Sequence, residues 1–294
     1  MELKLRFFYA KIGKGNSLAS RYLCKDNEFQ KEVVPIEFNC SPSNKHDFLK
    51  DGGAKEQGVN FFWCGENCQY ARIVVIYNSE LYILQPKGDV EFHEIKSSSS
   101  PNVEYLKVLP VVITESYPIA LVPAVLASLT ANAYYYTGTF REIKDPGNFI
   151  ALCALLRISV GDSYDACAQI LFSCLSSVQL ETLIAKLCEE KGCFVPAYRG
   201  GTTKDVDIFA YNDSSNAIDV GMMRIKPNSG ISIQIKLRTV FPSAPVGVDY
   251  LITTVNSSDW LIKLINESPL TKRWLCRSLN WLDPAFIQGS GVNI

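Results

Sequence analysis

The sequence predicts a mixed α/β protein, α+β overall, in which a β-rich N-terminal domain precedes a domain richer in helices. Residues 1–145 contain short aromatic and β-branched runs separated by turn residues, a pattern typical of strands joined by hairpins. Beyond the turn at Asp145-Pro-Gly-Asn148, apolar residues recur at helical spacing instead. The composition, with 47% hydrophobic and 20% charged residues over 294 positions, is that of a folded protein with a sizeable core.

Five runs in the first domain are predicted to be strands. They are Leu5–Ala10, Asn60–Trp63, Arg72–Tyr77, Leu81–Gln85 and Val90–Ile95. The turn-forming pair Asn78-Ser79 separates the third run from the fourth, which predicts a hairpin there. Alanine and leucine at helical spacing predict one helix over Val122–Ala133.

Three helices are predicted in the second domain. They cover Phe149–Arg157, Ser163–Leu175 and Val178–Lys191, and Gly192 ends the last of them. The change of pattern at the Asp145-Pro-Gly turn divides the chain into a β-rich recognition or regulatory domain, residues 1–145, and a second domain, residues 146–294.

Charge and composition restrict the classes of function. The formal net charge of −1 gives no overall basic character, so a nucleic-acid contact has to come from a local patch. One such patch is the basic N-terminal segment, which is either a solvated face or an edge that contacts phosphates. Its basic residues, opposed only by Glu2, are Lys4, Arg6, Lys11, Lys14, Arg21 and Lys25.

Cysteine usage and hydropathy predict a cytoplasmic protein without a membrane span. Ten cysteines follow an N-terminus that lacks the apolar segment of a signal peptide, so we expect reduced thiols. The apolar run Tyr117–Ala127 is short and interrupted by proline, which excludes it as a bilayer span. With only two histidines, His46 and His93, the chain is a poor candidate for zinc binding or for a histidine-dependent triad.

Two strand-like segments of the second domain carry polar residues at intervals of two. Asp205 and Asp207 alternate with apolar residues in KDVDIFA (204–210), and Gln234 and Lys236 do so in ISIQIKLR (231–238). Alternate residues of a strand share one face, so each pair is predicted to point to one side of a sheet. Charged groups on a half-buried sheet are costly unless they pair or bind a metal, and a shared site is therefore predicted.

The residue types in this predicted site suit phosphodiester hydrolysis. Carboxylate and amide oxygens are ligands for Mg²⁺ or Mn²⁺, and a neighbouring lysine can position water and offset charge on the phosphate. The alternative for Asp207 and Lys236 is a structural salt bridge between neighbouring strands. Asp205 is either a spare ligand or a solvated residue at a loop end.

The order of these segments resembles the Mrr-like branch of the PD-(D/E)xK nuclease superfamily. The resemblance lies in a helix with Glu181 that ends in glycine, a Gly200-Gly201 loop, the Asp207 strand and the Gln-x-Lys strand, over about residues 178 to 256. It implies a restriction-endonuclease-like αβββαβ core with extra helices. It also implies catalytic roles for Glu181, Asp207, Gln234 and Lys236, and a Mg²⁺ or Mn²⁺ ion held by Asp207, Gln234 and Ile235. For Glu181, the residue pattern alone equally indicates an acid that complements the helix dipole.

Two features of this region depart from the family pattern. The distance in sequence between Asp207 and Gln234 predicts an inserted hairpin around 212–230, with a turn at Lys226-Pro-Asn-Ser-Gly230. Between Lys236 and Val248 there is little room for the family's helix, so the fold is expected to be pruned or permuted there. Gln234 in place of an acid also lowers the expected metal affinity, and the Gln-x-Lys variant occurs in the family. Arg199 and Lys204 flank the glycine pair and either hold nucleic-acid phosphates or belong to a solvated loop.

The resemblance also implies partners and context. We expect a metal-dependent endonuclease acting on nucleic acid, with DNA as the expected substrate, as a homodimer or as a subunit of a larger complex, in restriction or antiviral defence. The alternative is a catalytically inactive nuclease-fold protein that binds nucleic acid or protein within a larger complex.

Overall fold

The computed structural model describes residues 4–37, 40–50, 55–95, 103–131, 138–159, 168–196, 206–236 and 246–293, and shows a mixed α/β protein. The chain forms two compact units. Unit 1 consists of Met1–Val122 and Leu129–Lys144, and unit 2 of Pro123–Ser128 and Asp145–Ile294. No helix in the described ranges has the length and apolar character that crossing a bilayer requires.

Unit 1 is built on a seven-stranded mixed sheet. Its strands are β1 Arg6–Ala10, β2 Val33–Ile36, β3 Ala71–Tyr77, β4 Glu80–Pro86, β5 Glu91–Ile95, β6 Glu104–Pro118 and β7 Phe140–Glu142. The order is β2-β6-β4-β3-β1-β7, and β5 pairs with β6 beside that path. Only the β1–β3 pair is parallel among these described strands. Four of the five predicted strand runs are thus confirmed.

The hairpin between β3 and β4 turns at the predicted pair. Asn78 and Ser79 both have positive φ, 50° and 62°, which is the conformation of a two-residue turn that follows the sheet twist.

The fifth predicted strand, Asn60–Trp63, is wrong, because it lies inside a helix. Unit 1 contains the helices α1 Ala19–Tyr22, α2 Lys45–Lys50 and α3 Lys55–Glu66. Within α3 the buried positions include Gly58, Phe61, Phe62 and Gly65, which is the i, i+3, i+4, i+7 spacing of one helix face. Two of these four positions are glycines, so the apolar periodicity is hidden in the sequence.

Strand β6 changes partners along its length. Its first part pairs with β2 and β5, up to Pro110, and its second part pairs with β4 from Val111 onwards. A register shift between Ile83 and Leu84 leaves Thr114 out of the ladder, and the Thr114 hydroxyl donates to the Ile83 carbonyl at 3.0 Å. One continuous strand therefore joins both parts of the sheet.

The basic N-terminal segment is partly used in internal ion pairs. Arg6 donates to both carboxylate oxygens of Glu142 at 2.6 and 2.7 Å, and its guanidinium lies 4.2 Å from the centre of the Trp63 ring. Arg21 pairs with Glu28 at 2.7 Å. Arg6 is therefore engaged within unit 1, whereas Arg21, with 58% of its side chain exposed, lies at the surface in an ion pair.

Unit 2 combines seven helices with five strands in the described ranges. The helices are α4 Ala124–Ala127, α5 Pro146–Leu155, α6 Ala168–Ser173, α7 Ser177–Glu190, α8 Thr254–Asn266, α9 Pro269–Ser278 and α10 Pro284–Gly289. The strands are β8 Ile208–Asn212, β9 Ile218–Val220, β10 Met223–Ile225, β11 Ser229–Lys236 and β12 Tyr250–Thr253.

The predicted helices of unit 2 compare as follows. Helices at Phe149–Arg157 and Val178–Lys191 are confirmed, since α5 and α7 cover most of each run. The run Ser163–Leu175 contains α6, and its first residues lie outside the described ranges. The predicted helix Val122–Ala133 is shorter, because α4 is followed directly by a 3₁₀ turn at Ser128–Ala131.

Helix α7 begins with a capping box. The Ser176 hydroxyl accepts from the Gln179 N–H at 3.2 Å, and the Gln179 side chain accepts from the Ser176 N–H at 3.0 Å. From this fixed start, Leu180, Leu183 and Leu187 are buried in one core with Ile208 and Ile233. The helix therefore covers one face of the small sheet formed by β8 and β11.

That sheet has the order β12-β11-β8. Strand β8 is antiparallel to β11, whereas β12 is parallel to it. Beyond β8, Phe194 forms an isolated antiparallel bridge with Tyr211. The predicted inserted hairpin is present as the antiparallel pair β9–β10, and the chain turns again at 226–228, where Asn228 has a φ of 50°.

Helix α5 lies close to the end of α6, and this close approach requires a glycine. A methyl group at Gly147 would collide with the backbone carbonyl of Ser173. We predict that Gly147→Ala lowers the free energy of unfolding by about 2–3 kcal/mol, because backbone must move to admit the methyl group.

Urea denaturation of the full-length protein measures this change. Gly88→Ala is the control, because no atom lies within 4 Å of the added methyl at that position. Equal stability of the two variants would contradict the close approach of α5 and α6.

Candidate active site

Strand β11 presents apolar and polar side chains alternately. Ile231, Ile233 and Ile235 are buried in the core of unit 2. The intervening residues Ser232, Gln234 and Lys236 therefore point to the other face of the sheet, away from that core. Ser232 and Gln234 are nevertheless buried, with relative exposures of 7% and 4%. The strand is thus enclosed on both faces but polar on one.

Asp207 lies at the point where the ladder between β8 and β11 ends. Strand β8 begins at Ile208, so alternation along the strand does not place the Asp207 side chain. Its position is set by two hydrogen bonds: its N–H donates to the Ile233 carbonyl at 2.9 Å, and its Oδ2 accepts from the Ile235 N–H at 2.6 Å. The carboxylate therefore replaces a backbone carbonyl as the next acceptor along the edge of β11.

Lys236 lies near this carboxylate but does not form a hydrogen bond with it. Its Nζ lies 4.0 Å from Asp207 Oδ2, and the two side chains are 36% and 23% exposed. This distance exceeds that of a hydrogen bond. Asp207 is the only polar partner of the Lys236 ammonium group in the part of the chain that the structure describes. The two charges are near each other but retain bonding capacity toward a third group.

Gln234 has a side chain with unused hydrogen-bonding capacity. Its relative exposure is 4%, and no hydrogen bond of its amide group occurs with any other part of the chain, as far as the described residues show. The amide nitrogen and oxygen are not among the fully buried polar atoms that lack a partner, so this group keeps contact with solvent. Such a group on the same face as Lys236 favours a role in binding a ligand.

The oxygen-bearing groups at this end of β11 are of the types that bind a divalent cation. The N–H and C=O groups of one strand residue point to the same edge, so the Ile235 carbonyl points to the edge at which Asp207 lies. A carboxylate, an amide oxygen and a backbone carbonyl form an all-oxygen set, which suits Mg²⁺ or Mn²⁺. Across the described residues, no three His, Cys, Asp or Glu side chains cluster as a metal site. The Asp207 carboxylate would thus be the main charge in this ligand set.

A second carboxylate, which the sequence reasoning did not single out, fixes the other edge of β11. Asp249 Oδ2 accepts from the Ser232 N–H at 2.7 Å and from the Ser232 hydroxyl at 2.8 Å. The Asp249 N–H donates in return to the Ser232 carbonyl at 3.1 Å. Ser232, two positions before Gln234, was the sequence signal for this contact, because a buried serine on a strand needs a hydrogen-bond partner nearby.

The remaining predicted site residues are not joined to this group. Glu181 is half-buried on α7, and it forms no ion pair or hydrogen bond with Asp207, Gln234 or Lys236. Arg199 and Lys204 lie outside the described residues, as does Asp205. The structure therefore brings together Asp207, Ile235 and Lys236, and places Gln234 beside Lys236 on the polar face.

The cysteines contribute to packing and not to this site. The nine cysteines in the described ranges are free thiols. Burial raises the pKa of Cys153 and of Cys174 to about 12, which keeps both thiols protonated and unreactive.

Comparison with protein-family models, with curated proteins and with solved structures found no match to this chain.

The hydrogen bond from Ile235 to Asp207 leads to a prediction about stability. We expect Asp207→Ala to lower the free energy of unfolding by about 1–2 kcal/mol, because the Ile235 N–H group loses its acceptor at a half-buried position. Asp207→Asn retains an oxygen at the same position and is expected to lose less.

Chemical denaturation of the three proteins tests this expectation. Asp219→Ala is the matched control, since Asp219 is 62% exposed and its pair with Arg224 spans 3.6 Å. A loss in Asp207→Ala no larger than that of Asp219→Ala would show that the edge of β11 does not depend on this carboxylate.

Proposed function

We propose that this protein is a metal-dependent nuclease that hydrolyses phosphodiester bonds, with DNA as the expected substrate and the site at Asp207, Gln234, Ile235 and Lys236. The observation that carries the proposal is the meeting of Asp207 and Lys236 at 4.0 Å beside the unbonded amide of Gln234.

The order of elements in unit 2 supports the resemblance to the Mrr-like nucleases. Helix α7 is followed by the bridge at Phe194, then by β8 and β11, which are antiparallel, and then by β12, which is parallel to β11. This order matches the one on which the resemblance rests, with β9 and β10 as the inserted hairpin. The helix that the αβββαβ core has between its third and fourth strands would fall between β11 and β12, where residues 237–245 lie outside the described ranges. The restriction-endonuclease-like core is thus part of the proposal.

Each residue of the site has a proposed role. Asp207, Gln234 and the Ile235 carbonyl would hold the divalent cation, which when bound supplies Lewis-acid stabilisation of the reacting phosphate. Lys236 has three N–H donors, and it would orient the attacking water and offset the charge that develops on the phosphate oxygens. The Ile235 N–H group keeps the Asp207 carboxylate in place, so that it does not collapse onto the Lys236 ammonium.

The predicted activity is cleavage of DNA in the presence of Mg²⁺ or Mn²⁺, assayed as nicking of plasmid and as cutting of a single-stranded oligonucleotide. We expect Lys236→Ala and Asp207→Asn each to lower the rate about a hundredfold or more, because one removes the cationic donor and the other the main ligand charge. EDTA should abolish cleavage by the wild type.

The matched controls are Asp219→Asn and Arg224→Ala. Asp219 and Arg224 form another acid–base pair between antiparallel strands of unit 2, on the β9–β10 hairpin, and both are largely exposed. Both control variants should cut at the wild-type rate. Equal cutting by the wild type and by both site variants would remove this site assignment.

Metal affinity provides a further prediction. Gln234→Glu adds a second carboxylate to the ligand set, so we expect calorimetric titration to show Mn²⁺ binding about tenfold tighter than in the wild type. Asp207→Ala should abolish the binding signal.

The same titration separates the catalytic proposal from the alternative. Among the described residues, the ligand set has a single carboxylate. If no cation binds there, the alternative of a non-catalytic nuclease-fold subunit is favoured. Absence of an Asp207-dependent signal, together with tight nucleic-acid binding, would establish that alternative.

A further inference from the structure

Two exposed aromatic side chains lie on the polar face of the small sheet in unit 2. Phe194 and Tyr211 are 59% and 39% exposed. Their N–H and C=O groups exchange two hydrogen bonds of 2.8 Å, so the residues lie directly opposite each other in an antiparallel bridge. Paired residues of such a bridge project to the same side.

The backbone pairing shows that this side is the one that carries Lys236. Ile208 and Ala210 of β8 are buried in the core, as are Cys193 and Val195 beside Phe194. Phe194 and Tyr211 therefore project away from the core, and Tyr211 pairs with Gly230 of β11. Gly230, Ser232, Gln234 and Lys236 alternate along β11, which places the two rings and Lys236 on one face.

This face is buried in its middle and open toward both ends. Ser232 and Gln234, in the middle, are almost fully buried, whereas the two aromatic rings at one end and Lys236, 36% exposed, at the other end reach solvent. Tyr211 is four residues from Asp207, which corresponds to about 13 Å along an extended strand. A nucleic-acid chain spans that distance with a few nucleotides.

The Tyr211 ring lies across the backbone of β11. An added Cβ at Gly230 would come within 2.6 Å of two ring carbons, so the glycine leaves the space that the ring occupies. One surface of the ring therefore covers the strand, and the other is open to solvent. No ring partner for Tyr211 or Phe194 occurs among the described aromatic residues.

We propose that Phe194 and Tyr211 form a stacking platform for the bases of single-stranded nucleic acid, which leads the strand toward Asp207 and Lys236. The inference rests on the proposed nuclease function and specifies its substrate class. Exposed ring faces can stack on unpaired bases, whereas the bases of a duplex are stacked on one another and present only their edges to a protein.

The charge at the two ends of the face complements a phosphate backbone. Lys226 is exposed in the turn that leads into β11, close to where β11 pairs with the end of β8. It has no ion-pair partner within the described ranges. Lys236 lies at the other end of the same strand. The two rings thus lie along a strand with a cationic side chain at or near each end, as expected for a groove that follows a single strand.

Fluorescence anisotropy with labelled oligonucleotides, in EDTA to prevent cleavage, tests the platform. Single-stranded DNA, single-stranded RNA and the corresponding DNA duplex are compared on the full-length protein. We expect single strands to bind more tightly than the duplex, and the DNA and RNA arms to identify which one is preferred. Phe194→Ala and Tyr211→Ala should each weaken single-strand binding about tenfold and leave duplex binding unchanged.

Two further variants serve as controls. Tyr211→Phe retains the ring and should bind as the wild type does. Leu270→Ala removes a side chain that is 72% exposed on α9, away from this sheet face, and should also leave binding unchanged. Phe194→Trp provides a spectroscopic readout, because stacking of a base on the introduced indole should quench its fluorescence.

The outcomes distinguish this proposal from the proposed function. The platform would be overturned if both alanine variants bound single strands as the wild type does. It would also be overturned if the wild type bound the duplex at least as tightly as single strands, and either result holds even if plasmid nicking occurs. Ring-dependent single-strand binding without any metal-dependent cleavage would support the platform and overturn the nuclease assignment.

Discussion

The Ile235 N–H group donates to the Asp207 carboxylate, and the Ser232 N–H group donates to the Asp249 carboxylate, on opposite edges of β11. Both bonds follow from one constraint: the backbone donors of an enclosed strand need acceptors where its neighbours do not provide a carbonyl. At these two points the acceptor is a side-chain carboxylate. Negative charge is therefore fixed at the edge of a buried strand, and the position of Lys236 beside Asp207 depends on this arrangement.

The polar and apolar faces of β11 have different structural roles. Ile231, Ile233 and Ile235 bind the strand to α7 and to the rest of the core. This packing fixes the backbone from behind, so that Gln234 and Lys236 are held on a rigid element and not on a loop. A site that depends on a few oxygen and nitrogen atoms within hydrogen-bonding range needs such a support.

The sequence predicted the elements with strong local signals. Helical spacing located α5 and α7, with Gly192 marking the end of α7, and runs of aromatic and β-branched residues located β1, β3, β4 and β5. The helix α3 was missed because Gly58 and Gly65 occupy two of its buried positions, and glycine carries no apolar signal. The small residues are required there, since a Cβ at Gly58 would come within 2.6 Å of the Phe48 ring.

For the site, alternation correctly placed Gln234 and Lys236 together, but it could not place Asp207. That residue precedes β8, and its orientation depends on the Ile235 N–H group, which is 28 positions away in the chain. Likewise, the bond between Asp249 and Ser232 and the bridge between Phe194 and Tyr211 are set by tertiary pairing. Contacts of this kind have no periodic pattern in the sequence, because each partner is ordinary in its own segment.

The continuous strand β6 has a consequence for how unit 1 loses its structure. Residues 104–110 support β2 and β5, residues 111–118 support β4, and Pro110, at the change of partners, has no N–H group to offer either side. Detaching β2 and β5 leaves the backbone groups of 104–110 without partners, and detaching β4 does the same for 111–118. The two parts of the sheet are thus joined by one covalently continuous strand, and a cut within β6 removes that connection.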